Sequence, residues 1–167
     1  MLKNHELKIM LALTLVAIIM AVWLLRGNMA EATGDSFAVT LSVRADTLLE
    51  NMHLLNPDSQ ELIPADGVIF HGIVTAYEND SVFDVLNREM RSAGIHFVFR
   101  QLPVFDSAYV QAINNLFEFD AGALSGWKYR VNGEFPGIGA SLYIVQPGDK
   151  IEWLYTIDLG RDIGAIE

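Results

Sequence analysis

Cysteine is absent from the 167 residues. The chain therefore forms no disulfides and carries no lipid-modified cysteine after its apolar N-terminal run, and an exported domain must be held by its core alone. Histidine is scarce. His5 precedes the apolar run, and His53, His71 and His96 stand alone, none at i,i+4 from another, so a metal site has no local support. Basic residues are few as well. Of 11 Lys and Arg and 21 Asp and Glu, three basic and one acidic residue lie at or before Arg26, leaving 8 against 20 in the remainder, a formal −12. Nucleic acid rewards clustered Lys and Arg, so no nucleic acid partner is expected. Catalytic signatures are missing too. There is no G-x-S-x-G, P-loop or G-x-G-x-x-G, and no serine has a candidate base beside it, so the chain does not read as an enzyme. Glu118 and Asp120, with Asp158 and Asp162, lack the spacing of an EF-hand loop and read as a solvated face.

What is present begins with Ile9 to Leu25, apolar apart from Thr14, preceded by Lys3 and Lys8 and followed by Arg26. At about 1.5 Å per residue this run spans roughly 25 Å, close to the ~30 Å hydrocarbon core of a bilayer. Residues 1–26 are expected to be a signal anchor or a signal peptide; the long run favours the anchor, and Ala30-Glu31-Ala32 offers a cleavage site. The charge bias places the short N-terminus inside. The expectation is a single-pass protein of the cell membrane with its C-terminal part outside, or a secreted one if the segment is cleaved. A polar linker, 27–36, leads into one domain, 37–164, with a tail, 165–167.

Within the domain, Phe37 to Val43 alternates as a strand, and 45–51 reads as a turn with Leu48 and Leu49 packed inward. Residues 52–67 carry Pro57, Pro64 and Asp66-Gly67 and read as a connection without long elements. Val68 to Tyr77 reads as a strand pair or one bent strand, with Gly72 at the bend or bulge. Ser81 to Ala93 is the one clear helix. Ser81 and Asp84 suit a capping box, which explains Ser81 better than the sequon Asn79-Asp80-Ser81 does. Gly94 suits C′, and Val82, Val85, Leu86 and Met90 share a face. Short strands at 95–100 and 109–113 follow, then an irregular stretch at 117–124. The class is α+β: a twisted, mostly antiparallel or mixed sheet with one packed helix.

Trp127, Tyr129 and Val131 alternate with Lys128 and Arg130, and Asn132-Gly133 then supplies a type I′ turn, predicting a hairpin. Phe135-Pro136-Gly137-Ile138-Gly139 cannot continue a central strand and forms a shaped loop whose Phe135 and Ile138 either tuck under or face a ligand. Pro147-Gly148 fits a type II turn into Lys150 to Ile157, a half-buried strand with Trp153 in the core.

These stretches, with Leu62-Ile63-Pro64-Ala65-Asp66-Gly67-Val68-Ile69, S-V-F-D-V-L and G-D-K-I-E-W-L-Y-T-I-D-L-G-R-D, resemble the transcobalamin-like C-terminal domain, a domain of unknown function (DUF4430-type) in exported bacterial proteins. The likeness covers about residues 37 to 164 and implies a β-grasp-like fold. In transcobalamin and intrinsic factor this small domain closes over cobalamin held by a larger α-helical domain. The resemblance therefore implies a corrinoid ligand and a ligand-facing surface of Trp127, Tyr129, Phe135, Pro136, Gly137, Ile138 and Gly139, with Ser141 and Tyr143. Trp127 is the best match. It implies no other cofactor, and leaves as partners the membrane and a transporter or surface protein. The chain departs from the family in lacking the helical domain, the cysteines and a histidine in the loop that could ligate cobalt. The alternative is a cell-surface protein-interaction or structural domain.

Overall fold

The computed structural model describes Val16, Met20 and residues 35–165, Phe105 as backbone only. The chain divides into two units, Met1–Gly34 and Asp35–Glu167. The expected membrane segment lies outside the described residues, save for the helical Val16 and Met20. Among the described residues no helix is long and apolar enough to cross a membrane.

In the second unit, β1 (Ser36–Arg44) turns Val39, Leu41 and Val43 inward, each at most 1% exposed. A fully buried side chain of this kind contributes about 1.5–3 kcal/mol, so the alternation fixes which face of the strand is core. On one side β1 pairs antiparallel with β2 (Val68–Tyr77), and on the other it pairs parallel with β7 (Lys150–Thr156). β7 in turn pairs antiparallel with β6 (Gly126–Val131), giving a mixed sheet ordered β2-β1-β7-β6. A second, antiparallel sheet, β3 (Phe97–Leu102), β4 (Ser107–Ile113) and β5 (Leu116–Phe117), contributes Ala108, Val110, Ile113 and Leu116 to the same core.

The expected α+β class holds, with two corrections of layout: there are two sheets where one was expected, and 117–124 begins with the end of a strand. The bulge in β2 is not at Gly72, which faces Leu41 in register. It lies where Val43↔Phe70 gives way to Arg44↔Val68, leaving Ile69 as the extra residue. β7 is not half-buried. As an interior strand it buries Leu154 and Thr156 beside Trp153 and Tyr155.

The connection from β1 to β2 holds only 3-10 turns, Asp46–Leu48 and Met52–Leu54, and a single helical turn, Pro57–Gln60. Helix α1 (Val82–Ser92) has the expected capping box. The Ser81 hydroxyl accepts from Asp84 N at 3.1 Å, and the Asp84 carboxylate accepts from Ser81 N at 2.9 Å. Gly94, at φ +67, follows its C-terminus. Its buried face carries Val82, Phe83, Val85, Leu86 and Met90, and Phe83 meets Phe99 of β3 edge-on at 4.8 Å. Arg88 reaches the other sheet and donates to the Thr75 carbonyl at 2.7 Å. The helix thus bridges the two sheets. Ser81→Ala orphans the Asp84 amide at this junction and is expected to cost about 1 kcal/mol. A lower urea midpoint at unchanged slope is the measurement.

Candidate functional site

Asn132 and Gly133 take φ +53 and +87, as a type I′ turn requires, and Val131 and Glu134 exchange both backbone bonds, at 2.9 and 3.0 Å. No second strand follows. Glu134 makes an isolated bridge, and the partner of β6 is the distant β7, so the predicted hairpin is a hairpin turn with a substituted partner. This substitution makes β6 an edge strand. Asn132 N donates to Lys150 O, so in the same ladder Gly126, Lys128 and Arg130 aim their backbone groups at β7. Trp127 and Tyr129 have the phase of Val131 and turn theirs outward.

Beyond that edge lies a half-open depression of about 240 Å³, bordered by Trp127, Lys128, Tyr129, Phe135, Pro136, Gly137, Ile138 and Ala165. Six of the residues implicated by the family resemblance therefore meet at one place. Ile138 is 48% exposed, whereas Trp127 is only 8% exposed. The Trp127 indole N–H donates inward to Leu116 O at 3.0 Å, and its ring meets Tyr155 edge-on at 5.2 Å. Trp127 is chiefly a core residue that offers the depression one edge. Tyr129 lies 5.5 Å from Trp153 and donates its hydroxyl to Ile138 O at 2.9 Å, pinning the loop to the strand. Burial, and secondarily Tyr143, pushes that hydroxyl up to about 12, so it stays a donor at neutral pH.

Gly139, Ser141 and Tyr143 do not border the depression. A Cβ on Gly139 would sit 2.1 Å from the Ser107 hydroxyl, so glycine is there for close packing on β4. The Ser141 hydroxyl accepts from Ala108 N at 3.0 Å, and Tyr143 stands behind Tyr129 at 6.5 Å. Lys128 and Ala165 were not foreseen. Lys128 has the wrong alternation phase for the aromatic face and enters only because β6 is an edge; Ala165 carried no signal. A second depression of about 300 Å³ is bordered by Asp46, Glu50 and Asp162 among others, but Asp46 is paired with Arg44 and Asp162 holds Thr156 and Ile157 N. Among the described residues no group of His, Asp and Glu is placed to hold a metal ion.

Residues 79–156 match the model of a family described as a domain of unknown function (DUF4430), the kind of domain that the sequence resembles. Haptocorrin, of the transcobalamin family and crystallised in complex with Cbi, matches with a TM-score of 0.55 and 17% identity over 74% of this chain and 25% of that one. The likeness is one of fold, and this chain spans a quarter of haptocorrin's length. A protein from Ruminococcus gnavus, provisionally described as a metal binding protein, matches with a TM-score of 0.40 and 12% identity over 72% of this chain and 96% of that one. A comparison with curated proteins finds no match.

Buried tyrosines, one of them at the site, give the domain a pH signature. Tyr109, like Tyr129, is pushed up to about 12, by burial and then by its bond to Glu118. Both are raised above the ordinary value of 10.0, so the stability they confer is complete below pH 10.0 and is lost as pH rises toward about 12. Burial also holds the Tyr155 hydroxyl above its ordinary value, so in an absorbance titration three of the five tyrosines are expected to ionise late and together with loss of the near-ultraviolet circular dichroism.

Proposed function

We propose that residues 37–164 form a β-grasp-like, non-enzymatic binding module that takes a corrinoid, or a similar flat and partly apolar molecule, on the β6 edge. The N-terminal apolar run tethers it to the outside of a cell membrane. The observation that carries this reading is the meeting of Trp127, Tyr129, Phe135 and Ile138 around one depression, in a domain whose fold is similar to that of a protein crystallised with Cbi. The ligand stacks on Phe135 and Ile138 and on the exposed edges of the two strand aromatics, while the outward backbone groups of Trp127 and Tyr129 meet its polar substituents. Drug-sized ligands occupy roughly 300–1,000 Å³, so a depression of about 240 Å³ covers only part of a corrinoid. A second protein, such as an uptake transporter, completes the enclosure.

The alternative, a surface module that binds another protein and no small molecule, draws on Phe119, Leu124 and Leu159, which are 59%, 42% and 50% exposed. Leu159 N to Leu124 O and Phe119 N to Ser125 O bring their backbones together.

Titration with dicyanocobinamide is expected to quench tryptophan fluorescence, and Phe135→Ala with Ile138→Ala to weaken binding about tenfold or more, since each removes a contact worth roughly 1 kcal/mol or more. Absence of heat or quenching at high micromolar corrinoid would leave the protein-binding alternative. The tether is tested separately: the chain is expected to stay in the membrane pellet through an alkaline carbonate wash, and its release would indicate cleavage.

A further inference from the structure

β2 is the other edge of the four-stranded sheet, opposite β6, and its outer side has a pattern that suits a copy of itself. Thr40 N donates to Asp149 O at 2.8 Å and Ala38 O accepts from Gly148 N at 2.9 Å, so both residues turn their backbone groups away from β2. Their partners in the antiparallel ladder, Ile73 and Thr75, therefore turn theirs away from β1, and His71 and Tyr77 have the same phase. One end of this outer side is closed by the chain itself. Arg88 donates to Thr75 O at 2.7 Å, and Tyr77 N donates to the Asp80 carboxylate at 2.8 Å while Tyr77 O accepts from Asp80 N at 3.0 Å. The other end is broken by the bulge at Ile69. Between the two, His71 and Ile73 offer two N–H and two C=O groups that have no partner among the described residues, and they flank Gly72 symmetrically.

Open edges are ordinarily guarded by lysine, proline or another charged residue. Val68–Tyr77 contains no Asp, Glu, Lys, Arg or Pro, whereas β1, β3, β6 and β7 each carry a charged side chain. Ile73 is 80% exposed. Copies of a chain with a formal net charge of −10 repel one another, so a contact between them has to fall on a neutral stretch such as this one. We propose that a second copy of this chain pairs antiparallel with β2 about a two-fold axis at Gly72, His71 of each copy exchanging both backbone bonds with Ile73 of the other. The two four-stranded sheets become one of eight strands. The contact is isologous and closes on itself, so it ends at a dimer. Ile73 lies beside the second copy's His71 on one face and Phe70 beside its Val74 on the other, each a cross-strand pair. The proposal is independent of the corrinoid reading, which concerns the β6 edge.

Because the chain lacks cysteine, Gly72→Cys supplies a single thiol on the proposed axis. Directly opposed residues of that kind lie roughly 4.5 Å apart at Cα, within the range of a disulfide. A Cβ at position 72 meets only the Phe70 ring, at 3.8 Å, so the substitution fits. With the purified full-length chain in detergent and a copper–phenanthroline oxidant, Gly72→Cys is expected to form a covalent dimer at least about tenfold faster than Glu134→Cys, an exposed turn position, does. Adding Ile73→Pro, which removes an N–H that β1 does not use, is expected to slow that dimer about tenfold, since each copy loses one bond across the axis. Unchanged near-ultraviolet circular dichroism shows that this variant is folded. Ile73→Lys, which keeps every backbone donor and adds a charge to the edge, is expected to slow it as well. A Gly72→Cys dimer that forms no faster than that of Glu134→Cys, or one undiminished by both Ile73 substitutions, overturns the proposal.

Discussion

The geometry of the site hangs on one side chain, Asn132. Its amide donates to the Asp149 carboxylate at 2.8 Å and its carbonyl oxygen accepts from Lys150 N at 3.0 Å. Asp149 is itself buried, holds Gln146 N through its other carboxylate oxygen at 2.8 Å, and offers its backbone carbonyl to Thr40 at 2.8 Å. Two turns far apart in sequence are thus locked to each other and to β1. Asn suits the position twice over: it tolerates positive φ, and its side chain both donates and accepts. The clamp sets the register of β6 on β7, and register decides everything facing the depression. A slip of one residue would send Trp127 and Tyr129 to the other face of the sheet and bring Lys128 and Arg130 into the core.

Given that register, the aromatic rows follow. Trp127 lies across from Tyr155 and Tyr129 across from Trp153, and the polar ends of the rings reach out to hold the surrounding segments. The Trp127 indole binds Leu116 O, the Tyr155 hydroxyl binds Phe117 O at 2.7 Å, and the Tyr129 hydroxyl binds Ile138 O. Trp153 differs, because its indole N–H is buried without a partner among the described residues. The depression is therefore the margin of a core, which is why the apolar loop residue Ile138, more than the strand aromatic Trp127, stands exposed there.

Much of this was legible in the sequence because it is local. The capping box of α1, the positive φ of Asn132 and Gly133, the turn at Pro147-Gly148 and the alternation of β1 each depend on residues within a few positions of one another. Sheet order was not legible. That β7 is interior and β6 an edge follows from the pairing of β1 with β7, which no short window records, and it decides both the burial of Leu154 and the entry of Lys128 into the site. The bulge at Ile69 was missed for a related reason: Gly72 is a permissive residue, but the register shift lies at the start of β2, where no residue type marks it. Gly139 looked like part of a ligand loop because glycine answers equally to flexibility and to close packing, and only the position of Ser107 separates the two.

The parallel pairing of β1 with β7 also shapes how the domain comes into being. Thr40 and Lys150 are partners although they stand about 110 residues apart in the chain. A contact of such sequence separation closes a large loop before it returns any stabilisation, which raises contact order and slows folding. Until the last strand arrives, β1 and β2 are a two-stranded ribbon with an apolar face and an open edge, a state prone to mispairing. The final strand therefore closes the sheet, and the margin beside β6 depends on a pairing that spans most of the domain.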